Sequence, residues 1–259
     1  MEQRHKINRT VKRAMDILNL LRIEGRPMTI KEISAALKIP MTSAFDIVHT
    51  LQVCEYLQSS DKNAKTYIIG IKAFETGFSY LLNTNLAKIA QPYVEKIVQE
   101  TNATAFLALY DRNEILYLNK LEAMVSIRTS AVLGSRRSMY CTGLGKAILA
   151  HLPEEQVRRI FAESNVQAHT EHTITSIDAL LEELRLTRKR GYAIDNREND
   201  IDILCVAHAI KDYTSSPIAA ISTAMLFTPA NEAKIEKYGA MIAKYAFEIS
   251  RQMGYNPEK

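Results

Sequence analysis

Between Pro27 and Pro40 the chain has room for only one short helix, because proline lacks a backbone donor and disfavours helix in the residue before it. Thr29-Ile30-Lys31-Glu32 supplies its start. The threonine hydroxyl can accept the backbone N–H three residues on while the glutamate reaches back, a reciprocal capping box. The helix then runs to about Leu37 and buries Ile30, Ile33 and Leu37. Upstream, Thr10 to Glu24 places Val11, Ala14, Ile17, Leu18 and Leu21 on one helical stripe. Downstream of Lys38-Ile39-Pro40, Met41 to Val53 repeats the pattern with Ala44, Ile47, Val48 and Leu51. Two helices joined by a tight turn behind a longer first helix have the outline of a helix-turn-helix. Tyr56–Ser59 and Thr66–Ile69 flank the polar stretch Asp61–Lys65 and read as a hairpin, in the position of a wing.

In such a unit the third helix enters the major groove. Its exposed candidates are Met41, Thr42, Ser43, Phe45, Asp46, His49 and Thr50. Hydroxyls suit base and phosphate contacts, and Met41 or Phe45 can pack on a thymine methyl. Asp46 repels phosphates, so it either accepts from cytosine N4 or orients a neighbour such as His49. Phosphate anchoring is expected from Lys62 and Lys65 on the wing and from Arg4, Lys6, Arg9 and Arg13. The charge distribution agrees. Residues 1–73 hold 12 Lys/Arg against 7 Asp/Glu, and the remainder 21 against 22, so the whole net charge of +4 originates at the N-terminal end.

At 259 residues two domains are expected. The boundaries fall at 1–70 for the winged helix-turn-helix, 71–84 for a linker helix (Ile71, Phe74, Phe78, Leu81, Leu82), and 85–259 for a larger domain. In the last, a helix over Leu86–Thr101 precedes a hairpin, Ala103–Tyr110 and Glu114–Lys120. Further strands are expected at Val125–Thr129, Tyr192–Asp195, Cys205–Ile210 and Pro217–Ala224, with helices at 143–151, 154–163, 176–190 and 231–253. The fold class is α+β on a mainly antiparallel sheet. Three widely separated cysteines suit a reducing cytoplasm rather than a disulfide framework. Neither a secretory signal nor a membrane span is expected.

Cys141-Thr142-Gly143-Leu144-Gly145-Lys146-Ala147 reads as a turn opening into a helix. Thr142 can cap it, the glycines admit a ligand close to the backbone, and free N–H groups favour an anion. An enzyme is the rival reading, with Cys141 or Cys205 as nucleophile beside His151, His169, His172 or His208. No nucleophile elbow is present, however, and Cys205 sits in an apolar strand. His169-x-x-His172 has the look of a metal pair but lacks further ligands nearby. No cofactor or metal is expected.

The chain resembles the isocitrate lyase regulator (IclR) family over nearly its full length. The resemblance is carried by Arg13–Leu18, Leu37–Ala44, Thr142–Ala150, His172–Thr175, Arg190–Asp195 and Cys205. It implies a winged helix-turn-helix regulator that binds a double-stranded DNA operator, with a GAF-like effector domain for small organic, sugar-derived or aromatic acids. It further implies a homodimer formed through the N-terminal domain and linker, often paired into tetramers, and a repressor more often than an activator. Carried over residue by residue, the effector contacts are Gly143, Leu144, Asp195, Cys205 and Ser222. On the strand from Cys205, residues 205, 207 and 209 share a face, so His208 points away from the pocket. Met41, Phe45 and Asp46 depart from the family's reading helix, and Arg197, Glu198, Asp202, Leu204 and Ala224 from its pocket. A different operator and effector are therefore expected. A sensor of the same fold with lost or altered DNA binding is the remaining alternative, which Asp46 keeps open.

Overall fold

A computed structural model describes residues 7–61, 65–83, 85–123 and 131–257. Arg4, Lys6, Lys62 and the strand expected at Val125–Thr129 lie outside the described residues. The chain divides into two compact units, Met1–Asn83 and Thr84–Lys259.

In the first unit, α1 (Arg9–Glu24), α2 (Ile30–Leu37) and α3 (Met41–Val53) enclose Ile17, Leu21, Ile33, Ile47, Val48 and Leu51. Each helix begins and ends where its residues dictate. The Asn8 side chain caps α1 through the N–H groups of Thr10 and Val11, and Gly25 closes it in the left-handed region. The Thr29–Glu32 capping box opens α2 with both reciprocal bonds present. The wing is β2 (Leu57–Asp61) against β3 (Thr66–Ile69). A two-residue strand, β1 (Met28–Thr29), also pairs with β3. It was not among the expected elements, because two residues carry no period. Helix α4 (Ile71–Asn83) clusters with this unit, as the hydrogen bonds from Gly70 N to Tyr56 O and from Lys72 N to Glu55 O indicate.

The second unit is built on an antiparallel sheet of six strands in the order β6-β5-β4-β9-β8-β7. These are β4 (Thr104–Asp111), β5 (Glu114–Leu121), β6 (Arg136–Arg137), β7 (Ala193–Asn196), β8 (Ile203–Lys211) and β9 (Pro217–Leu226). Alternation sorts their side chains to two faces. Ala105, Leu107, Ala219 and Ile221 pack against α5 (Asn85–Thr101) and α10 (Ile235–Gln252). Phe106, Ala108, Ala220 and Ala224 face α6 (Gly143–Leu149), α7 (Glu154–Glu163) and α8 (Ile177–Arg190). The expected α+β class and antiparallel sheet are what the chain adopts. The single helix expected at 231–253 is instead two. Thr228 caps a one-turn α9 (Pro229–Glu232) that has Pro229 at its first position, and the backbone restarts at Ile235.

Candidate functional site

Two surfaces carry the residues singled out in the sequence. On α3, Ala44, Ile47, Val48 and Leu51 are buried, which leaves Thr42, Phe45, Asp46, His49 and Thr50 exposed on the opposite side. Ser43 is half-buried and accepts a hydrogen bond from Arg13 Nη1 at 3.1 Å. Those two residues, expected separately at the DNA, thus brace α3 against α1. Thr50 Oγ1 donates to Asp46 O at 2.7 Å, inside its own helix. The His49 ring stacks on Phe45, with centroids 6.4 Å apart and planes 16° from parallel. Asp46 therefore does not orient His49, and its carboxylate has no side-chain partner among the described residues. Arg9 and Lys65 are exposed, Lys65 with φ 49° in the wing turn.

The second surface is a chamber over the α6 face of the sheet. It is partly open to solvent, and its walls include Gly143, Leu144, Asp195, Cys205 and Ser222. Sheet register brings them together. Asp195, Cys205 and Ala224 form one row across β7, β8 and β9, and Ala207, Ser222 and Phe106 form the next across β8, β9 and β4. Above them Thr142 Oγ1 caps α6 by accepting from Gly145 N at 3.2 Å. The N–H groups of Gly143 and Leu144, first in the helix, have no carbonyl one turn earlier to bond. Phe106, Tyr117, Arg137, Asn199 and Asp200 also line the chamber.

The glycines act differently from expectation. A Cβ on Gly145 would lie 2.3 Å from Met139 Cα, so this glycine is required by backbone packing and is not part of the chamber. A Cβ on Gly143 would meet Cys205, Ala207 and Asp195 at 3.4–3.6 Å, so its bare side turns towards the sheet. Close ligand approach is therefore not the reason for Gly145.

Asp195 is 4% exposed, and its Oδ1 accepts from Glu198 N at 2.8 Å. Burial pushes its carboxyl up to about 7, with Lys146 pulling down and Glu198 adding to the rise. Beneath it Lys146, wholly buried on α6, pairs with Glu198 and lies 3.6 Å from Glu183. Burial raises Glu198, partly offset by Lys146. The Thr173 hydroxyl donates to Glu198 O and the Thr170 hydroxyl to Arg197 O, both at 2.6 Å. The His172–Thr175 motif thus fastens the loop that follows Asp195. Sequence reasoning missed Lys146, Arg137 and the Thr173 clasp. The only signal for Lys146 was a lysine set in an otherwise apolar and glycine run.

The cysteines have the wrong environment for nucleophiles. Burial pushes Cys141 up to about 12 and raises Cys205 well above the usual thiol range. Among the described residues no cluster of three or more His, Cys, Asp or Glu side chains could hold a metal ion, and no helix is long and apolar enough to cross a membrane.

Comparison with known proteins places this arrangement. Residues 10–61 match the IclR helix-turn-helix domain, and residues 78–251 match the bacterial transcriptional regulator IclR C-terminal domain. The protein belongs to the IclR family of transcriptional regulators. The crystal structure of the Thermotoga maritima IclR is 33% identical and covers 95% of this chain and 99% of its own, with a TM-score of 0.77. The HTH-type transcriptional repressor AllR of Escherichia coli (strain K12) is 28% identical over 244 residues, 94% of this chain and 90% of AllR. An IclR homolog from Microbacterium hydrocarbonoxydans, crystallised with 4-hydroxybenzoate, shares the fold at 19% identity, with a TM-score of 0.83 and coverage of 94% of this chain and 98% of that one.

Proposed function

We propose that this regulator is an effector-controlled repressor of a catabolic operon, and that its effector is a small organic or sugar-derived acid held in the chamber. The observation that carries the reading is the convergence of Gly143, Leu144, Asp195, Cys205 and Ser222, from four separate elements, on one solvent-open cavity. Asp195 accepts from a ligand hydroxyl, Ser222 donates, and the N–H groups of Gly143 and Leu144 meet ligand oxygens. Repression is the activity of the AllR relatives, and the homolog with 4-hydroxybenzoate supports an acid in this fold.

At the DNA, Thr42, Phe45, Asp46 and His49 read base edges, while Lys62, Lys65 and Arg9 hold phosphates, with Arg13 and Ser43 fixing the pitch of the helix. Exposed Val11 and Met15 on α1 and Ile71 on α4 support a homodimer through this unit, and a dimer of dimers extends it. Half-sites about 34 Å apart then put two reading helices on one face of the duplex. The effector acts by binding one dimer arrangement better than the other, and shifts the equilibrium only by that difference. The protein works in the cytoplasm.

The test is a gel shift on the intergenic DNA beside its own gene at about 100 mM salt, with and without candidate acids. Specific binding that weakens steeply with salt, and is released by an acid, is the expected result. Binding without sequence preference supports instead a sensor whose DNA reading has been lost.

A further inference from the structure

The sheet order puts β6 and β7 at opposite edges, yet Arg137 of β6 and Asp195 of β7 line the same chamber. Its two ends therefore differ in charge. Arg137 is half-buried, and its Nη1 donates to Arg136 O at 3.2 Å. It has no ion-pair partner among the described residues, in contrast to Arg136 next to it, which pairs with both Asp111 and Glu114. A half-buried arginine that lines a partly enclosed cavity with no carboxylate paired to it is a ready donor site for a planar anion. Its charge reaches the interior, since it opposes the rise that burial imposes on the Tyr117 phenol. Towards β7 stand Asp195 and Asp200, whose carboxyl oxygens accept from donors. Between the two ends lie the rings of Phe106 and Tyr117, 5.4 Å apart. Arg137 and Asn199 also line a neighbouring polar cleft.

We propose that Arg137 is the carboxylate anchor of the chamber and fixes the effector's polarity, so that the effector is a hydroxy acid with its carboxylate at β6 and its hydroxyl at Asp195. This rests on the acid-binding reading above and adds to it which end of the ligand goes where. Simple carboxylates lacking a distal donor, and neutral amides of the same shape, are then the wrong ligands. A site built to hydrogen-bond a charged group discriminates strongly against the analogue that lacks it, because its own buried groups are left unpaired.

The experiment measures binding to the full-length protein by calorimetry and thermal shift. The probes are glycolate, 3-hydroxypropionate, 4-hydroxybutyrate and 4-hydroxybenzoate at up to 10 mM, each beside its deoxy acid and its amide. At least one hydroxy acid should bind, with its deoxy acid and amide each weaker by about tenfold or more. Arg137→Gln should remove the preference for acid over amide while leaving the preference for the hydroxyl. Asp195→Ala should do the reverse, and Arg137→Lys should restore part of the acid preference. Melting curves without ligand show whether each variant is folded, and an unfolded Arg137→Gln leaves Arg137→Lys and the wild-type amide comparison to decide. A carboxylate bound equally by wild type and folded Arg137→Gln, or an amide bound as well as its acid, overturns the proposal alone. If no carboxylate binds the wild type, both the acid-binding reading and the proposal fall.

Discussion

Helix α3 takes its whole working face from thirteen consecutive residues, whereas the chamber takes its walls from β4, β5, β6, β7, β8, β9 and the start of α6. In the helix, period alone decides which side chains are outside, and the outward ones need few partners in the protein. In the chamber every lining group is set by strand register or by a loop held from elsewhere, as Asp195 is by Glu198. A surface of the first kind can change its specificity by single substitutions at little cost in stability. One of the second kind can lose its shape through a residue that never touches the ligand.

The sharpest way to break this comparison is at Lys146. Lys146→Ala leaves Glu198 buried without its cation and should cost about 3–5 kcal/mol in denaturant unfolding of the second unit, together with the loss of ligand binding. The double variant Lys146→Met with Glu198→Leu should recover most of the stability. A loss below about 1 kcal/mol would mean that the chamber does not depend on its buried support. Gly145→Ala comes next. The added methyl meets the Met139 backbone, and overpacking of this kind costs about 1–3 kcal/mol, again read by denaturant melts. On the helix, Asp46→Ala should leave the melting curve unmoved yet change the preferred base at one operator position, by about 1–3 kcal/mol in competition binding. Lys65→Ala, by contrast, should weaken all duplexes alike and lower the salt slope by about 1. If those two variants behave alike, the division into base reading and phosphate anchoring is wrong.

The chamber also gives a pH dependence. Asp195 holds its proton up to about pH 7 in the folded protein, well above its unfolded value of about 3.9. Folding is therefore favoured by this group at low pH, and that contribution declines as pH rises from about 4 through 7. Melting temperature between pH 5 and 8 should slope downward more in the wild type than in Asp195→Asn. Equal slopes would place the relevant titration elsewhere.

The same contrast explains what was legible in the sequence. The bounds of α3, the capping box at Thr29 and helix α4 follow from local residue order, so they could be read directly. The five chamber residues came from resemblance to a family, since nothing local links Asp195 to Ser222. Arg137 was invisible because an arginine beside another arginine gives no sign that one is paired and its neighbour faces a cavity. Strand β1 was missed for want of length, and the break before Ile235 because the turn at Ala233-Lys234 contains neither glycine nor proline. The role assigned to Gly145 went astray for a different reason. Sequence shows that a Cβ is missing without showing which neighbour fills the space.

The clasp made by Thr170 and Thr173 joins the loop beside the chamber to a turn that reaches the surface. Their hydroxyls grip the carbonyls of Arg197 and Glu198, the same stretch whose N–H is tethered to Asp195, while Glu171 between them points into solvent. An occupant that draws on the Asp195 carboxylate competes for it with the Glu198 N–H. The exterior of the molecule thus has a natural place for an optical reporter of occupancy, well away from the walls that bind.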